Sequence, residues 1–479
     1  MKKILYLLLP LFALSACKEE FLESTPYGQS VSSTFWRNAA DALAGANAMY
    51  EPLRNEEFYG HSEQTFEICS DDFWRAGDHG EDQAIEDFTF DASNAQLGHS
   101  YNSKYEIVNR ANAVILNVPN ITMDKTLKDR ILGEAYFLRG FANWRLHVIY
   151  GEVVLISDQD LSNNNFNKPK SSIEEVRKAI EEDWLKAAAL LPATYGAADL
   201  GRPTSGTVNG FLAKFYLHTD NLNKAIEFGD KVIKGPYALA TNYNANFTIA
   251  TENNPEMLFA VQNLDGWGGS SYRIYSTPRP WGGWDFHEPI QDLVDEFEPK
   301  DPRMDFTLLM PGEKVDLGGT QGVREYTKSL SLSGYHFNKF ASWRKTTGGL
   351  DDGQNIPLLR TAEVYLIVAE AKIRLNGAGR GDAEINAVRK RVGMPEISNA
   401  GMTQLIHERR VELAGEAERH QDLMRWDRAK IIDIVAHYKK DRGQYKPSRN
   451  FQRPKHYYFA LPQREIDLSQ GVLKQNSNY

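Results

Sequence analysis

The chain has 479 residues, of which 42 % are hydrophobic and 11 % aromatic, and its formal net charge is -9. This length suits two or three average domains or one large domain. The acidic balance argues against nucleic acid as a partner, because surfaces that bind nucleic acid need clustered basic side chains. The only cysteines are Cys17 and Cys69, which excludes a disulfide framework and a cysteine-rich metal site.

The first sixteen residues have the layout of a secretory signal. Two lysines precede an apolar run that is too short for a comfortable membrane span of about 20 residues. Leu14-Ser15-Ala16 then leads directly to Cys17, as in a bacterial lipoprotein signal, where the cysteine is lipidated and becomes the mature N-terminus. We therefore predict a signal peptide over 1–16 and lipidation of Cys17. The alternative is an ordinary signal peptide with an incidental cysteine.

Residues 17–34 are polar and interrupted by proline and glycine, which is typical of a lipid tether and N-terminal segment. Over 35–233 apolar residues recur at helical spacing, which predicts an N-terminal helical part. Within it, residues 56–100 are acidic and contain four glycines, so we expect an irregular loop. A loop of this length is uncommon unless it has a function.

Two features of this helical part are specific. Ser171 is followed three residues later by Glu174, the spacing of a capping box, which predicts that a helix begins with Ser171 as its N-cap. The segments 207–220 and 223–233 then form a predicted hairpin around Asn221. Their apolar pattern resembles a tetratricopeptide unit.

The character of the sequence changes over 234–357. Glycine and proline are frequent, and strand-like runs such as 257–262 are short. We interpret this stretch as a large irregular insertion of loops with short strands and helices. It also contains a cluster of tryptophans, namely Trp267, Trp281, Trp284 and Trp343.

Helical pattern returns over 358–479, a C-terminal helical part with a tail, and its clearest element is the hairpin 358–392. Glycines at 377, 379 and 381 separate the two predicted helices. Such a hairpin cannot bury both faces alone, so it needs similar neighbours. We predict one composite unit, in which a helical scaffold carries loops on one side. The positions on one face of the first helix are Ala362, Leu366, Ala369 and Ile373.

Short motifs along nearly the whole mature chain resemble those of the SusD/RagB family, outer-membrane lipoproteins of Gram-negative polysaccharide degraders. Their order and spacing together are highly specific. The motifs are Asn109-Arg110-Ala111-Asn112, Gly133-Glu134-Ala135-Tyr136-Phe137-Leu138-Arg139-Gly140, Asp301-Pro302-Arg303, Pro357-Leu358-Leu359-Arg360, Glu408-Arg409-Arg410, Asp422-Leu423-Met424-Arg425-Trp426 and Leu461-Pro462-Gln463-Arg464-Glu465.

This resemblance implies a mainly α fold, in which tetratricopeptide-like helix pairs form a SusD-like α-α superhelix. The helices pack against a loop-rich, irregular ligand-binding part with short strands. The resemblance also implies a SusC-like TonB-dependent transporter as partner, over which the protein sits as a lid. The usual ligand is an oligosaccharide, and some members are thought to bind peptides. The acidic residues after Cys17 resemble the signal that sends such lipoproteins to the cell surface.

Several charged residues lie on helices with apolar faces. An unpaired buried charge is costly, so we predict that these residues pair between helices and belong to the scaffold. They identify the fold and say little about the ligand. The residues are Glu363, Glu370, Arg389, Glu412 and Arg425.

Sugar rings present apolar C–H faces with hydroxyl groups at the rim. A flat aromatic side chain meets the face, while Asp, Asn and Arg meet the rim through hydrogen bonds. Loops that combine these residue types are therefore candidates for the ligand site. Four clusters qualify: Asp71, Asp72 and Trp74; Trp267 and Tyr272; Trp281 and Trp284; and Trp343 with Arg344.

Other classes of function have weaker support. A peptide-binding protein of the same fold is the first alternative, and its ligand would depend more on Asp71, Asp72 and Arg344. A surface glycoside hydrolase is the second, but adjacent carboxylates on a loop do not set the required separation. The sequence lacks GxSxG, HExxH, Walker and GxGxxG motifs. We expect no enzyme activity, no cofactor and no catalytic metal.

Overall fold

The computed structural model describes residues 35–60, 62–75, 77–264, 272–317, 322–340, 353–438 and 449–479. The predicted signal peptide, the tether and Cys17 lie outside the described residues. So do three of the predicted ligand contacts, Trp267, Trp343 and Arg344.

Helices dominate the described part of the chain, which confirms the predicted mainly α fold. In the described ranges, no helix is both long and apolar enough to cross a membrane. In chain order the helices are α1 Ala39–Ala48, α2 Ser62–Glu67, α3 Gly80–Glu86, α4 Ala95–Asn117, α5 Lys125–Tyr150, α6 Asp158–Ser162, α7 Ile173–Leu190, α8 Ser205–His218, α9 Leu222–Ile233, α10 Tyr272–Tyr275, α11 Gln291–Val294, α12 Arg303–Thr307, α13 Thr361–Asn376, α14 Asp382–Arg391, α15 Met402–Leu413, α16 Arg419–Arg428, α17 Ile434–Tyr438 and α18 Gln463–Leu468.

The strands are short and form antiparallel pairs, β1 with β3, β2 with β8, β4 with β7 and β5 with β6. The pair β2–β8 joins the beginning of the insertion to its end, and β8 continues directly into α13. The insertion is therefore anchored at its base on the helical scaffold. The strands are β1 Phe73–Arg75, β2 Met257–Val261, β3 His287–Pro289, β4 Leu308–Leu309, β5 Lys314–Asp316, β6 Val323–Glu325, β7 His336–Phe337 and β8 Ile356–Arg360.

The long helices pack in succession. α4 packs on α5, α5 on α7, α7 on α8, and α8 on α9, and α9 then packs on α13 of the C-terminal hairpin. Two glycines permit the close approaches. A Cβ on Gly140 of α5 would lie 2.6 Å from the indole nitrogen of Trp184, and one on Gly229 of α9 would lie 2.3 Å from a methyl group of Val368. The predicted hairpin thus has helical neighbours, α9 and α15, beside α13.

One predicted helix start is wrong by a single residue. The N-cap is Ser172, whose side chain and that of Glu175 form the capping box of α7. Both Ser171 and Ser172 have a glutamate three residues later, so the sequence pattern fits either. The structure selects Ser172 because the backbone N–H of Ser171 donates to the carbonyl oxygen of Val153 at 2.8 Å.

The stretch 56–100 is less irregular than expected, since it contains α2, α3 and β1. Its acidic residues suggested a solvated loop, but Asp82 and Glu86 of α3 are buried. Asp82 accepts a hydrogen bond from Arg75 at 3.1 Å, and Glu86 accepts one from Arg449 at 3.0 Å. Basic partners outside the helix therefore stabilise a segment whose own composition favours a loop.

The predicted pairing of helical charges is confirmed. Glu370 on α13 accepts from Arg425 on α16 at 2.7 Å, and Glu363 lies 3.2 Å from the ammonium group of Lys214 on α8. Arg389 on α14 donates to Glu408 on α15 at 2.9 Å. These ion pairs connect different helices, so they hold the scaffold together rather than face a ligand.

A buried histidine on α16 makes stability depend on pH. His420 is 3 % exposed, and burial together with Arg449 and Arg428 lowers the pKa of its imidazole to about 3. The unfolded chain takes up this proton near pH 6.5, whereas the folded chain takes it up only near pH 3. The contribution of neutral His420 to the free energy of unfolding is therefore complete above about pH 6.5. Below that pH it decreases by about 1.4 kcal/mol per pH unit.

We expect His420→Gln to make stability less sensitive to acid. Urea denaturation near pH 7 and near pH 5 would give the free energy of unfolding of both proteins, and the wild type should lose about 2 kcal/mol more than the variant over this range. The carboxylates that both proteins share contribute equally to the pH dependence of both, so their effect cancels when the two changes in unfolding free energy are compared. Equal slopes in the two proteins would contradict this account.

Candidate ligand-binding surface

The two regions predicted to bind ligand meet at one small sheet. β1 comes from the stretch 56–100 and β3 from the insertion, and they pair antiparallel with Trp74 opposite Glu288 and Arg75 opposite His287. Sequence reasoning left open whether these regions converge. The structure brings them together.

Asp71 and Asp72 do not lie on the surface of this sheet. They are 1 % and 0 % exposed. Asp71 accepts hydrogen bonds from the Nε and Nη2 of Arg419 at 2.7 and 2.9 Å, and Asp72 accepts one from Arg410 at 2.7 Å. Burial would raise the pKa of Asp71, but Arg410 and Arg419 hold it well below its usual value. The prediction that these carboxylates contact ligand is therefore wrong, because arginines already occupy them.

Trp281 is also buried, at 8 % exposure. Its ring packs edge-on against Tyr326, with 5.9 Å between ring centroids. The adjacent glycines serve a tight turn: Gly282 has φ +91°, and a Cβ on Gly283 would lie 2.0 Å from the carbonyl oxygen of Thr277. The prediction that Trp281 contacts ligand is therefore wrong, because its ring is buried against Tyr326.

Trp284, three residues later, has a different environment. It is half-buried and packs on Tyr275 and Phe286, which are 2 % and 5 % exposed, so Trp284 is the ring of this cluster that a ligand can reach. The ring centroids of Trp284 lie 5.1 Å from those of Tyr275 and 5.8 Å from those of Phe286. Tyr275 also donates a hydrogen bond to Glu56 at 2.8 Å. We call Tyr275, Trp284 and Phe286 the aromatic platform.

The other predicted aromatics have mixed outcomes. Trp74 is half-buried on β1, beside Phe73, whose ring packs into the core against Phe337 at 4.7 Å. Trp74 stays a candidate contact. Tyr272 begins α10, but its side chain lies outside the described residues.

Polar side chains surround the aromatic platform. The His79 ring lies 4.7 Å from the Phe286 ring. Asp78 and Arg279 are 80 % and 54 % exposed, and Arg279 Nη2 lies 3.9 Å from Asp78 Oδ1. The Nε of Arg279 also donates to the carbonyl oxygen of Trp284 at 3.1 Å. We call Asp78, His79 and Arg279 the polar rim.

Sequence reasoning missed this rim and Tyr275. The available signal was the glycine turn shortly after Trp74, where Gly77 is followed by the polar residues Asp78 and His79. Gly77, at φ +85°, brings that run against the platform, since a Cβ there would lie 2.8 Å from the Phe286 ring.

Segment 326–336 supports the platform from behind. His336 is 0 % exposed, and its Nε2 and Nδ1 lie 2.7 Å from Asp285 Oδ1 and 2.8 Å from the Tyr326 hydroxyl. Asp285 has φ +57°, in the left-handed region that Asp adopts more readily than most other residues. Glu288 accepts from the backbone N–H groups of Leu332 and Ser333 at 3.0 and 2.5 Å. The chain that follows Trp284 is therefore fixed at two residues to one segment.

Two carboxylates beside the platform, Glu288 and Asp285, are poorly placed for hydrolysis. Burial and the neighbouring Asp285 raise the pKa of Glu288 to about 8, which is the kind of shift a general acid needs. However, Glu288 is 0 % exposed, and both of its oxygens accept backbone hydrogen bonds. Asp285 in turn binds His336.

One group of side chains among the described residues has the composition of a metal site, namely Glu298, His407 and Glu408. An arginine lies where a cation would bind. Arg389 Nη1 is 2.6 Å from Glu298 and 2.9 Å from Glu408. His407 bridges Glu296 and Glu298 at 2.8 and 3.1 Å. The group is thus an ion-pair network with its charge already compensated.

Known proteins resemble this chain over most of its length. A SusD-like protein of Bacteroides ovatus is 29 % identical over 469 residues, which cover 89 % of this chain and 82 % of that protein. A SusD-like protein of Bacteroides fragilis superposes with a TM-score of 0.81 at 23 % identity, covering 95 % of this chain and all of the other. A structure described as a laminarin binding SusD-like protein has a TM-score of 0.79 and 26 % identity, covering 93 % of this chain and all of the other.

Two family models match complementary parts of the chain. One is described as starch-binding associating with outer membrane and matches residues 20–217. The other, described as the SusD family, matches residues 240–479, half of the chain. The protein therefore belongs to the SusD family.

Proposed function

We propose that the protein binds oligosaccharides or polysaccharides at the aromatic platform and its polar rim. The observation that carries this proposal is the half-buried ring of Trp284 beside exposed Asp78 and Arg279. A flat ring suits the apolar face of a sugar, while a carboxylate and a guanidinium suit hydroxyl donors and acceptors. A laminarin-binding relative and a family model described as starch-binding support the same class of ligand.

The location that we propose is the outer membrane, with the protein held at the cell surface through lipid on Cys17. The signal-like start of the sequence supports this proposal, as does the description of the matching family model. Two or more acyl chains give stable anchoring. Mass spectrometry of the mature N-terminus would show the lipid, and an unmodified Cys17 would refute this part.

The role that we propose is delivery of the bound glycan to a SusC-like TonB-dependent transporter, without hydrolysis. Membership of the SusD family supports the proposal that such a transporter is the partner. The buried and hydrogen-bonded state of Glu288 supports binding without turnover. Purification of the protein from membranes should recover the transporter with it. Chromatography after incubation of the protein with glycan should recover the glycan intact.

Trp284→Ala is expected to weaken glycan binding roughly tenfold, because loss of a stacking contact and its buried area removes about 1.4 kcal/mol. Calorimetry with laminarin and with soluble starch would measure the dissociation constants. Trp284→Phe retains a flat ring and should recover part of the affinity. If Trp284→Ala binds both glucans as well as the wild type does, the platform is not the site.

The dependence of binding on salt distinguishes a glycan ligand from the alternative, a peptide ligand. A charged peptide would depend on ion pairs, so its binding should fall steeply as ionic strength rises, whereas binding of a neutral glycan should change little. The burial of Asp71 and Asp72 removes two of the charges that this alternative invoked.

A further inference from the structure

A second groove lies on the helical part of the protein, and it shares no residue with the aromatic platform. It is formed by the middle of α4, the segment 154–168 and the C-terminal region around α18. Its volume is about 440 Å³, which falls within the usual range for small-molecule sites. We call it the tyrosine groove, after Tyr101 and Tyr105 in its floor.

We propose that the tyrosine groove is a second binding site for a neutral, extended glycan chain. This inference rests on the proposed function, because it assigns a further contact to the same class of ligand. Four observations carry it: the shape of the groove, its aromatic floor, its asparagine side chains without hydrogen bonds to the described chain, and its few charges.

The shape favours an extended ligand over a single ring. A further cavity of about 560 Å³ shares Asn102, Glu465 and Leu468 with the groove. The two cavities together follow α4 from Ala95 to Asn109, a distance of about 20 Å at the helical rise. A chain of several units would be needed to fill this length.

The walls of the groove are apolar, and its floor is aromatic, with Tyr105 half-buried and Tyr101 5 % exposed. The rings of Tyr101 and Tyr105 lie 4.7 Å apart, and the Tyr105 hydroxyl donates to the carbonyl oxygen of Val154 at 2.7 Å, which fixes the groove wall. Phe166 and Leu468 line the groove from other segments and are 43 % and 64 % exposed. Their position at a concave site puts exposed apolar area where a ligand could cover it.

Three asparagine side chains of the groove are available for hydrogen bonds to a ligand. The side chains of Asn102, Asn109 and Asn167 are exposed and make no hydrogen bond to any other part of the chain that the structure describes. Amides both donate and accept, as hydroxyl groups do. Their combination with tyrosine rings repeats the chemistry of the aromatic platform.

The charges favour an uncharged ligand. Lys168 donates to Asp160 at 2.8 Å and to the carbonyl oxygen of Leu155 at 2.9 Å, so its charge is already compensated. Glu465 lies in the groove, and the adjoining cavity adds Arg464 and Asp467. Apart from the Lys168–Asp160 pair, the two cavities therefore hold two anionic side chains and one cationic one. A polyanion or a polycation would meet no cluster of opposite charge, whereas a neutral polyhydroxyl chain needs none.

Phe166→Ala tests the inference, with Leu185→Ala as the matched control. Both side chains are 43 % exposed, so neither substitution should unfold the protein, and Leu185 does not line the groove. We expect Phe166→Ala to weaken binding of soluble starch or laminarin about three- to tenfold, by loss of one aromatic contact. Short oligosaccharides, which the platform can hold alone, should bind unchanged, and Leu185→Ala should match the wild type with both ligands.

The outcomes distinguish the two proposals. If both polymers bind Phe166→Ala and an Asn102→Ala/Asn109→Ala variant as tightly as the wild type, the second site is refuted while the proposed function stands. If binding is lost in Phe166→Ala but kept in Trp284→Ala, the groove is supported and the platform is refuted. If the wild type binds neither polymer, the proposed function and this inference both fail.

Discussion

Glu412→Ala is expected to lower the free energy of unfolding by about 3–5 kcal/mol, the usual effect of breaking a buried ion pair from one side. Glu412 is 0 % exposed and accepts hydrogen bonds from Arg303, Arg360 and Arg391 at 3.2, 3.0 and 2.5 Å. Removal of its carboxylate would leave three buried guanidinium groups with less opposite charge.

The network around Glu412 explains why the effect should be large. Arg360 ends β8 and also binds Glu256 at 2.5 Å, while Arg391 ends α14 and binds the same glutamate at 3.0 Å. Arg303 begins α12 in the insertion. Glu412 therefore ties the C-terminal hairpin to the base of the insertion and to α15, so its loss affects several elements at once.

Urea denaturation would measure the effect, with Glu227→Gln as the control. Glu227 pairs with Lys231 at 2.9 Å, but the two side chains are 57 % and 45 % exposed, and exposed pairs contribute about 0–1 kcal/mol. A loss of similar size in both variants would mean that burial of the network does not set its importance. A loss below about 1 kcal/mol in Glu412→Ala would contradict the prediction directly.

The helical scaffold was predictable because its signals are local. The spacing of apolar residues in α13 and the glycines that follow it depend only on neighbours in the chain. The same reasoning failed for 56–100, where Glu86 of α3 obtains its partner from Arg449, 363 residues further along the chain. Such long-range pairs leave no local pattern.

The ligand surface was only partly predictable for the same reason. Trp281 and Trp284 stand three residues apart around two glycines, and sequence alone treats them alike. Their environments differ because Tyr326 packs on the first, while Tyr275 and Phe286 flank the second. The convergence of β1 with β3 likewise depends on strand pairing across more than 200 residues.

Asp71 shows how the structure changes the expected effect of a substitution. Replacing a residue that contacts ligand weakens binding but leaves the free energy of unfolding unchanged. Replacing a residue of a buried ion pair lowers the free energy of unfolding but leaves binding unchanged. Because Asp71 binds Arg419 through both oxygens at 2.7 and 2.9 Å, we expect Asp71→Ala to cost about 3–5 kcal/mol of folding free energy. The protein that stays folded should bind glycan with unchanged affinity.

Asp78→Ala is the matched comparison, seven residues further along the same segment. Asp78 is 80 % exposed at the polar rim, so its replacement should change stability by no more than about 0.5 kcal/mol. Affinity should fall about tenfold if its carboxylate accepts a hydrogen bond from a sugar hydroxyl. Urea denaturation and calorimetry on the same two variants would give both quantities.

The pair of variants therefore decides which carboxylates of this segment serve the fold and which serve the ligand. A stable Asp71→Ala protein with weakened binding would restore the ligand role that its sequence suggested and would contradict the geometry of its ion pair. Loss of stability in Asp71→Ala together with loss of affinity in Asp78→Ala would place the boundary between scaffold and site within 71–78. It would lie where β1 ends and Gly77 brings the chain against Phe286.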